Sequence, residues 1–175
     1  MVPGGALKEN PLPGKPTASS RLTISRIMSP HDTNLMGTVH GGVILHLVDD
    51  IAGVVAARHS GGPAVTAFMD EMAFLTAVHV GDVVHAHAQV NWVGTTSLEV
   101  GVRVLADRWN ESVPATHVAT AYLLMVATGP DGRPRRVPPV LPETDTDHRR
   151  FREAQIRRDH RLSRRAAITA SRNGH

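Results

Sequence analysis

The run Val43-Ile44-Leu45-His46-Leu47-Val48-Asp49-Asp50-Ile51-Ala52-Gly53-Val54-Val55-Ala56-Ala57 follows the pair Gly41-Gly42 without a proline or a polar cluster. It reads as a helix apolar enough to be largely buried, yet two adjacent carboxylates sit in its middle. A carboxylate withdrawn from water is costly unless it is paired, neutralised or used. At about 100° per residue, Ile44, Val48, Ile51 and Val55 form the centre of an apolar stripe, flanked by Leu45, Leu47, Ala52 and Ala56. Asp49 falls at the edge of that stripe in line with Gly42 and Gly53. Asp50 lies on the far side with His46 and Ala57, where it meets solvent or a neighbouring subunit. The two acids are not equivalent.

The rest of the chain is short elements punctuated by turn chemistry. Residues 1–19 are rich in Pro, Gly and Ser and read as a flexible lead. A first strand spans 22–28, and Ser29-Pro30-His31-Asp32-Thr33-Asn34 is a turn. Ser60-Gly61-Gly62-Pro63 ends the helix, and strands follow over 64–75, 82–92, 97–109 and 115–128. Gly81-Asp82, Gly94-Thr95 and Gly129-Pro130-Asp131-Gly132 mark the turns between or after them. One strand, one buried helix and four strands describe an α+β domain, an antiparallel sheet wrapped on a helix, over residues 20–138. Residues 139–175 read as a basic C-terminal tail, partly helical or disordered, with a helix expected from Asp147 to about Ala167.

Composition narrows the classes. Aromatic residues make up 3% of the 175, so the core is built mainly from Val, Ala, Leu and Met. With no cysteine, disulfides and thiolate metal sites are excluded. No apolar run approaches the roughly 20 residues of a membrane span, and the N-terminus lacks an apolar signal core, so a soluble cytoplasmic protein is expected. Net charge is +3, with arginines concentrated in the last quarter of the chain. No aromatic side chains are interleaved with them for base stacking, so a solvated tail is expected, with no nucleic-acid partner.

The start of the central helix is the best place for chemistry. Backbone N–H groups unpaired at a helix N-terminus can hold an anion or polarise a carbonyl. Asp49 lies two turns beyond Gly42 on the same side of the helix, where its carboxylate can activate water or attack such a carbonyl. Asn34, on the preceding loop, can position the water or the carbonyl. His85 and His87 share a strand face without a third ligand, so no metal is expected. Asp70-Glu71 is a weaker candidate within a strand, and His40 reads as a residue that satisfies loop backbone.

The segment from Met28 to Gly42, with Asp49 and Ala56-Ala57-Arg58-His59, resembles the hotdog-fold acyl-CoA thioesterases. The likeness is to the cytosolic acyl-CoA hydrolase branch, YciA-type enzymes included. It continues through Val65-Thr66, Met72-Ala73-Phe74, the block from Val80 to Val84 and the block from Val93 to Ser97. The resemblance implies a hotdog fold and hydrolysis of acyl-CoA to a free acid and CoA, without a separate cofactor. It implies Asp49 as the catalytic carboxylate, Asn34 as its polar partner from a second subunit, and the Gly42 N–H as donor to the thioester carbonyl. The site then lies at a dimer interface in a homo-oligomer built from dimers. Gly94, Thr95, Thr96 and Ser97 resemble the segment near the CoA moiety, with Thr95 where Arg or Lys is common. Two other activities fit parts of the pattern: a non-catalytic acyl-CoA-binding module, and an enoyl-CoA hydratase, which His31-Asp32-Thr33-Asn34 only superficially matches.

Overall fold

The computed structural model describes residues 12–173. In chain order the elements are β1 (Lys15–Pro16), a 3-10 turn (Thr17–Ser20), β2 (Leu22–Ile27), a second 3-10 turn (Pro30–Asp32) and α1 (Gly41–Ser60). Then come β3 (Ala64–Phe74), β4 (Asp82–Val93), β5 (Ser97–Arg108), β6 (Thr116–Ala127), β7 (Val140–Leu141) and α2 (Asp145–Asn173). Strands β2-β4-β5-β6-β3 form one antiparallel sheet in that order. The expected hotdog arrangement, a sheet wrapped on one long helix, is what the chain builds.

The 20 residues of α1 span about 30 Å, within the roughly 40 Å of the sheet's 12-residue strands. The helix therefore lies along the sheet for its whole length. The inward sides of β4, β5 and β6 are alternating small or branched residues. Val84, Ala86 and Val90 face Leu98, Val100 and Val104, and then Ala119, Ala121 and Leu123, all fully buried. The Ala positions let α1 approach closely, and Val48, Ile51, Ala52, Val55 and Ala56 fill the space with no solvent exposure. A core with so few aromatics closes because helix and sheet are both narrow at their contact.

The C-terminal end of α1 is tied from three sides. Gly61 adopts the left-handed conformation at φ 76°, and its N–H reaches the Ala57 carbonyl. Lys15 Nζ donates to the His59 carbonyl at 2.7 Å, and Arg135 Nη1 to the Ser60 carbonyl at 2.6 Å. Both cations sit at the negative end of the helix dipole. His59 is buried, and its Nε2 meets the Pro138 carbonyl at 3.0 Å. Burial holds its pKa below the ordinary imidazole value, so the ring stays neutral and pins the segment after β6.

This corrects the flexible lead over its described part. Lys15–Pro16 pairs in parallel with Val140–Leu141, and Thr17 and Ser20 are buried. Pro and Ser composition suggested disorder, but the order comes from a strand 124 residues downstream, which no local pattern reveals. Residues 1–11 of the expected lead lie outside the described residues.

The C-terminal tail is helical from Asp145 to Asn173, with no disordered stretch among its described residues. It crosses the outer face of the sheet, and polar contacts anchor much of it. Thr144 and Asp147 form a reciprocal capping pair at its start. Arg157 Nη2 pairs with the buried Glu99 at 2.6 Å and lies over the Tyr122 ring at 3.6 Å. Arg161 pairs with Asp70, and Arg161 and Arg164 both stack toward Phe68. Asp70 is placed outward by a β-bulge between Met69 and Glu71, so this acid anchors α2 and is not part of the Asp49 site.

Asp147 carries the entry to α2. Burial alone would raise its pKa, but donors from Thr144, Gln89 and Arg21 outweigh burial and lower it to about 2. The carboxylate therefore stabilises the fold fully above about pH 4, and that contribution is lost as pH falls toward 2. Asp147→Asn should reduce unfolding free energy by about 2 kcal/mol at pH 7. Urea unfolding followed by circular dichroism should show the gap between variant and parent narrowing from pH 4 downward.

Candidate active site

Asp49 emerges on the exposed side of α1, two turns from its start. It is not buried in the single chain, so the tension expected of an acid in an apolar helix is absent until something covers it. Its Oδ1 accepts a 2.6 Å hydrogen bond from Thr66 Oγ on β3. A second β-bulge, between Thr66 and Phe68, makes this contact possible. Without the extra residue Ala67, positions 66 and 68 would point the same way. With it, Thr66 faces α1 opposite Met125, and Phe68 faces α2. Thr66 was missed as a site residue because a threonine on a strand is ordinary, and only the bulge aims it at the acid. Asp50 stays exposed, 3.4 Å from His46, as the wheel placed it.

Asn34 sits on a separate, tightly built loop. The bridge between Thr33 and Val39 closes it, Gly37 takes φ 79° at its tip, and Asn34 Oδ1 accepts from the Met36 and Thr38 N–H groups. Its Nδ2 donates to Thr38 Oγ at 2.8 Å. Asp32 braces the loop's base. Hydrogen bonds from Ser29 N–H and Oγ, against the opposing effect of burial, and Arg26 at 2.6 Å hold its carboxyl below the usual range. With both oxygens engaged, Asp32 is a structural acid, which removes the hydratase-like reading of this segment.

Asn34 and Asp49 share no hydrogen bond among the described residues. Nor do Gly42 and Asp49 meet. Seven residues of helix place the Gly42 N–H about 10 Å along the axis from Asp49. A carbonyl within hydrogen-bond reach of one is out of reach of the other in the same chain. The sequence reading set both groups on one side of the helix, and the structure agrees, but one side is not one site.

The Gly42 N–H is also occupied. The His40 ring caps α1, with Nδ1 accepting from Gly42 at 2.9 Å, so an incoming carbonyl must displace that ring. The four-residue turn Gly94 to Ser97 lies near the other end of α1, where Thr95 and Thr96 carbonyls accept from Val137 and Ala127. None of the four touches Asp49. A Cβ on Gly94 would fall 2.7 Å from the Trp92 ring, over which Arg158 stacks at 5.4 Å.

Exposed apolar side chains also lie along α1 and the edge strand. Leu45 and Val54 on α1, and Val65 and Phe74 on the free edge of β3, are each more than a third exposed. Leu35 and Met36, at the tip of the Asn34 loop, project almost entirely into solvent. A long edge strand beside such a patch is a surface built to be covered.

The chain matches the sequence profile of the Thioesterase superfamily over residues 36–110. It is 40% identical over 118 residues to YkhA of Bacillus subtilis, named an uncharacterized acyl-CoA thioester hydrolase, covering 67% of this chain and 68% of that one. It is 34% identical over 149 residues to the mouse cytosolic acyl coenzyme A thioester hydrolase, covering 85% of this chain but spanning only 39% of the mouse protein. An acyl-CoA hydrolase of Staphylococcus aureus, solved with coenzyme A as an asparagine-to-alanine variant, matches at a TM-score of 0.85 and 32% identity. That match covers 91% of this chain and 95% of that one. Aspartate-to-alanine and threonine-to-alanine variants of the same hydrolase match at 0.84 and 0.82. A hexameric acyl-CoA thioesterase matches at 0.85 and 34% identity, over 89% of this chain and 99% of its own.

Replacing the cap separates its structural role from the chemistry. His40→Ala should lower stability by about 1 kcal/mol, read by urea unfolding, because the Gly42 N–H loses its partner.

Proposed function

Because this chain belongs to the Thioesterase superfamily, in its acyl-CoA thioester hydrolase branch, we propose that it hydrolyses acyl-CoA to a free acid and CoA at a site shared by two copies of α1. The observation that carries the reading is the axial offset between Gly42 and Asp49. Two antiparallel helices related by a two-fold axis bring Asp49 of one copy beside the Gly42 end of the other, and the reverse. The midpoint of the two positions puts that axis near Leu45 and His46, which lie on the exposed side of α1.

The same pairing covers the apolar patch and extends the sheet across the free edge of β3. It brings the Asn34 loop of one copy over the Asp49 of the other. The separations support these assignments independently. In the S. aureus hydrolase the replaced asparagine, aspartate and threonine stand 15 and 17 residues apart, as do Asn34, Asp49 and Thr66. A similar structure is hexameric, which suits assembly from such dimers.

In this mechanism Asp49 takes a proton from water as the oxygen attacks the thioester carbonyl. Thr66 orients the carboxylate, and the partner's Asn34 holds the water or the carbonyl. The Gly42 N–H, freed from His40, faces the oxygen as it gains charge. Collapse expels CoA thiolate, which recovers the proton, leaving free acid. No metal or redox cofactor enters these steps.

The CoA moiety runs toward Gly94, Thr95, Thr96 and Ser97. Thr95 supplies no cation there, and Arg158, stacked on Trp92 beside the turn, takes that part for the pyrophosphate. No helix among the described residues is long and apolar enough to cross a membrane, and the proposed place of work is the cytoplasm.

Thiol release from butyryl-CoA tests the assignment. Asp49→Asn should lower turnover by at least about 1,000-fold with the fold intact, and Thr66→Val by about 10- to 100-fold at nearly constant KM. Full turnover in Asp49→Asn would sink the reading.

A further inference from the structure

A cavity of about 540 Å³ lies between the first turns of α2 and the outer face of β4, β5 and β6. It is on the side of the sheet away from α1, so it is not part of the Asp49 site. Four guanidinium groups line it, from Arg21, Arg103, Arg149 and Arg150, against a single lining carboxylate, Glu153.

The charges there pair off incompletely. Arg21 is matched by Asp147 at 3.0 Å and Arg149 by Glu153 at 2.6 Å. Arg150 donates to Gln89 Oε1 at 2.9 Å, and Arg21 Nε donates to the same oxygen at 3.2 Å. Two cations thus converge on one neutral amide oxygen, a poor substitute for an anion. Arg103, from β5, has no hydrogen bond or ion pair among the described residues. His87, on β4, spends Nδ1 on Thr23 at 2.8 Å and leaves Nε2 without a partner among the described residues. Two uncompensated guanidiniums and one free imidazole nitrogen therefore open on the same space.

Like charges gathered in a recess repel unless a counter-ion joins them, and the recess limits how much water can screen them. The uncompensated charge is +2, and a phosphate monoester near neutral pH carries close to two negative charges with three acceptor oxygens. A carboxylate would neutralise only half of it. We propose that this cavity binds a phosphate monoester, held by Arg103 and Arg150 with His87 Nε2 as a third donor.

His87 supplies the readout. Burial, with the neighbouring charges of His85 and Arg103, holds its pKa below the ordinary imidazole value. A dianion in the cavity reverses the balance and raises it. Two sources can supply the group: the 3′-phosphate of a CoA molecule, or a free nucleotide acting as an effector.

The test is a titration of the full-length protein with inorganic phosphate at fixed ionic strength, following the His87 imidazole resonances by NMR. The proposal expects a saturable shift and an upward move of the His87 pKa. The dissociation constant should rise at least about tenfold in Arg103→Gln and further in Arg103→Gln/Arg150→Gln. Arg103 is exposed and unpartnered, so the single variant should fold and keeps the test decisive on its own. No saturable shift, or equal affinity in wild type and the single variant, would overturn it. Comparison of CoA with dephospho-CoA then separates the sources. A preference for CoA that vanishes in Arg103→Gln identifies the 3′-phosphate, and adenosine monophosphate binding not displaced by CoA identifies an effector.

Discussion

A rigid helix cannot bend its own N-terminus onto its own midpoint, and the chemistry at α1 depends on that limit. The backbone positions of Gly42 and Asp49 are about 10 Å apart along one helix axis. No carbonyl reaches both. In the proposed site, each half is completed by the opposite half from an antiparallel second helix. The surrounding surface is consistent with that demand. The free edge of β3, the exposed Leu45 and Val54, and the projecting Leu35 and Met36 are apolar in one region, the region where a second copy would lie.

The outer face of the sheet is built on different physics. Where α1 is held by Val, Ile and Ala with no solvent exposure, α2 is anchored largely by arginines. Arg157 on Glu99, Arg161 on Asp70 and the capping pair at Thr144 and Asp147 fix its position through directed contacts. Ion pairs of this kind fix geometry more than they add net stability. An arginine-rich helix on a sheet also concentrates positive charge in any recess it bridges. The cavity lined by Arg103 and Arg150 lies where α2 bridges the sheet, and its uncompensated charge is the basis of the phosphate proposal.

Much of this was legible from residue order. The turns at Gly61, Gly81 and Gly94 placed the strand boundaries within a residue or two, because Gly61 and Gly81 take the left-handed backbone and Gly94 leaves no room for a Cβ beside the Trp92 ring. The helical wheel separated Asp49 from Asp50 correctly. Two β-bulges were not legible. Nothing in Thr66-Ala67-Phe68 or Met69-Asp70-Glu71 announces an extra residue, yet the first turns Thr66 onto Asp49 and the second turns Asp70 onto Arg161. The order of Lys15 to Ser20 was hidden too, since its partners are Val140, Leu141 and Glu143, supplied by the far end of the chain. The His40 cap on Gly42 was half seen: a histidine serving the loop backbone, but on the N–H that the proposed mechanism uses.

The direct test of a site divided between copies is subunit mixing. Asn34→Ala and Asp49→Ala proteins, each inactive alone, are unfolded together, refolded at equal concentration and assayed for thiol release. If Asn34 and Asp49 act across the two-fold axis, each mixed dimer regains one intact site, and random pairing restores roughly a quarter of wild-type activity. If both residues serve the same site from a single chain, no mixture contains an intact site, and activity stays at the level of the separate variants.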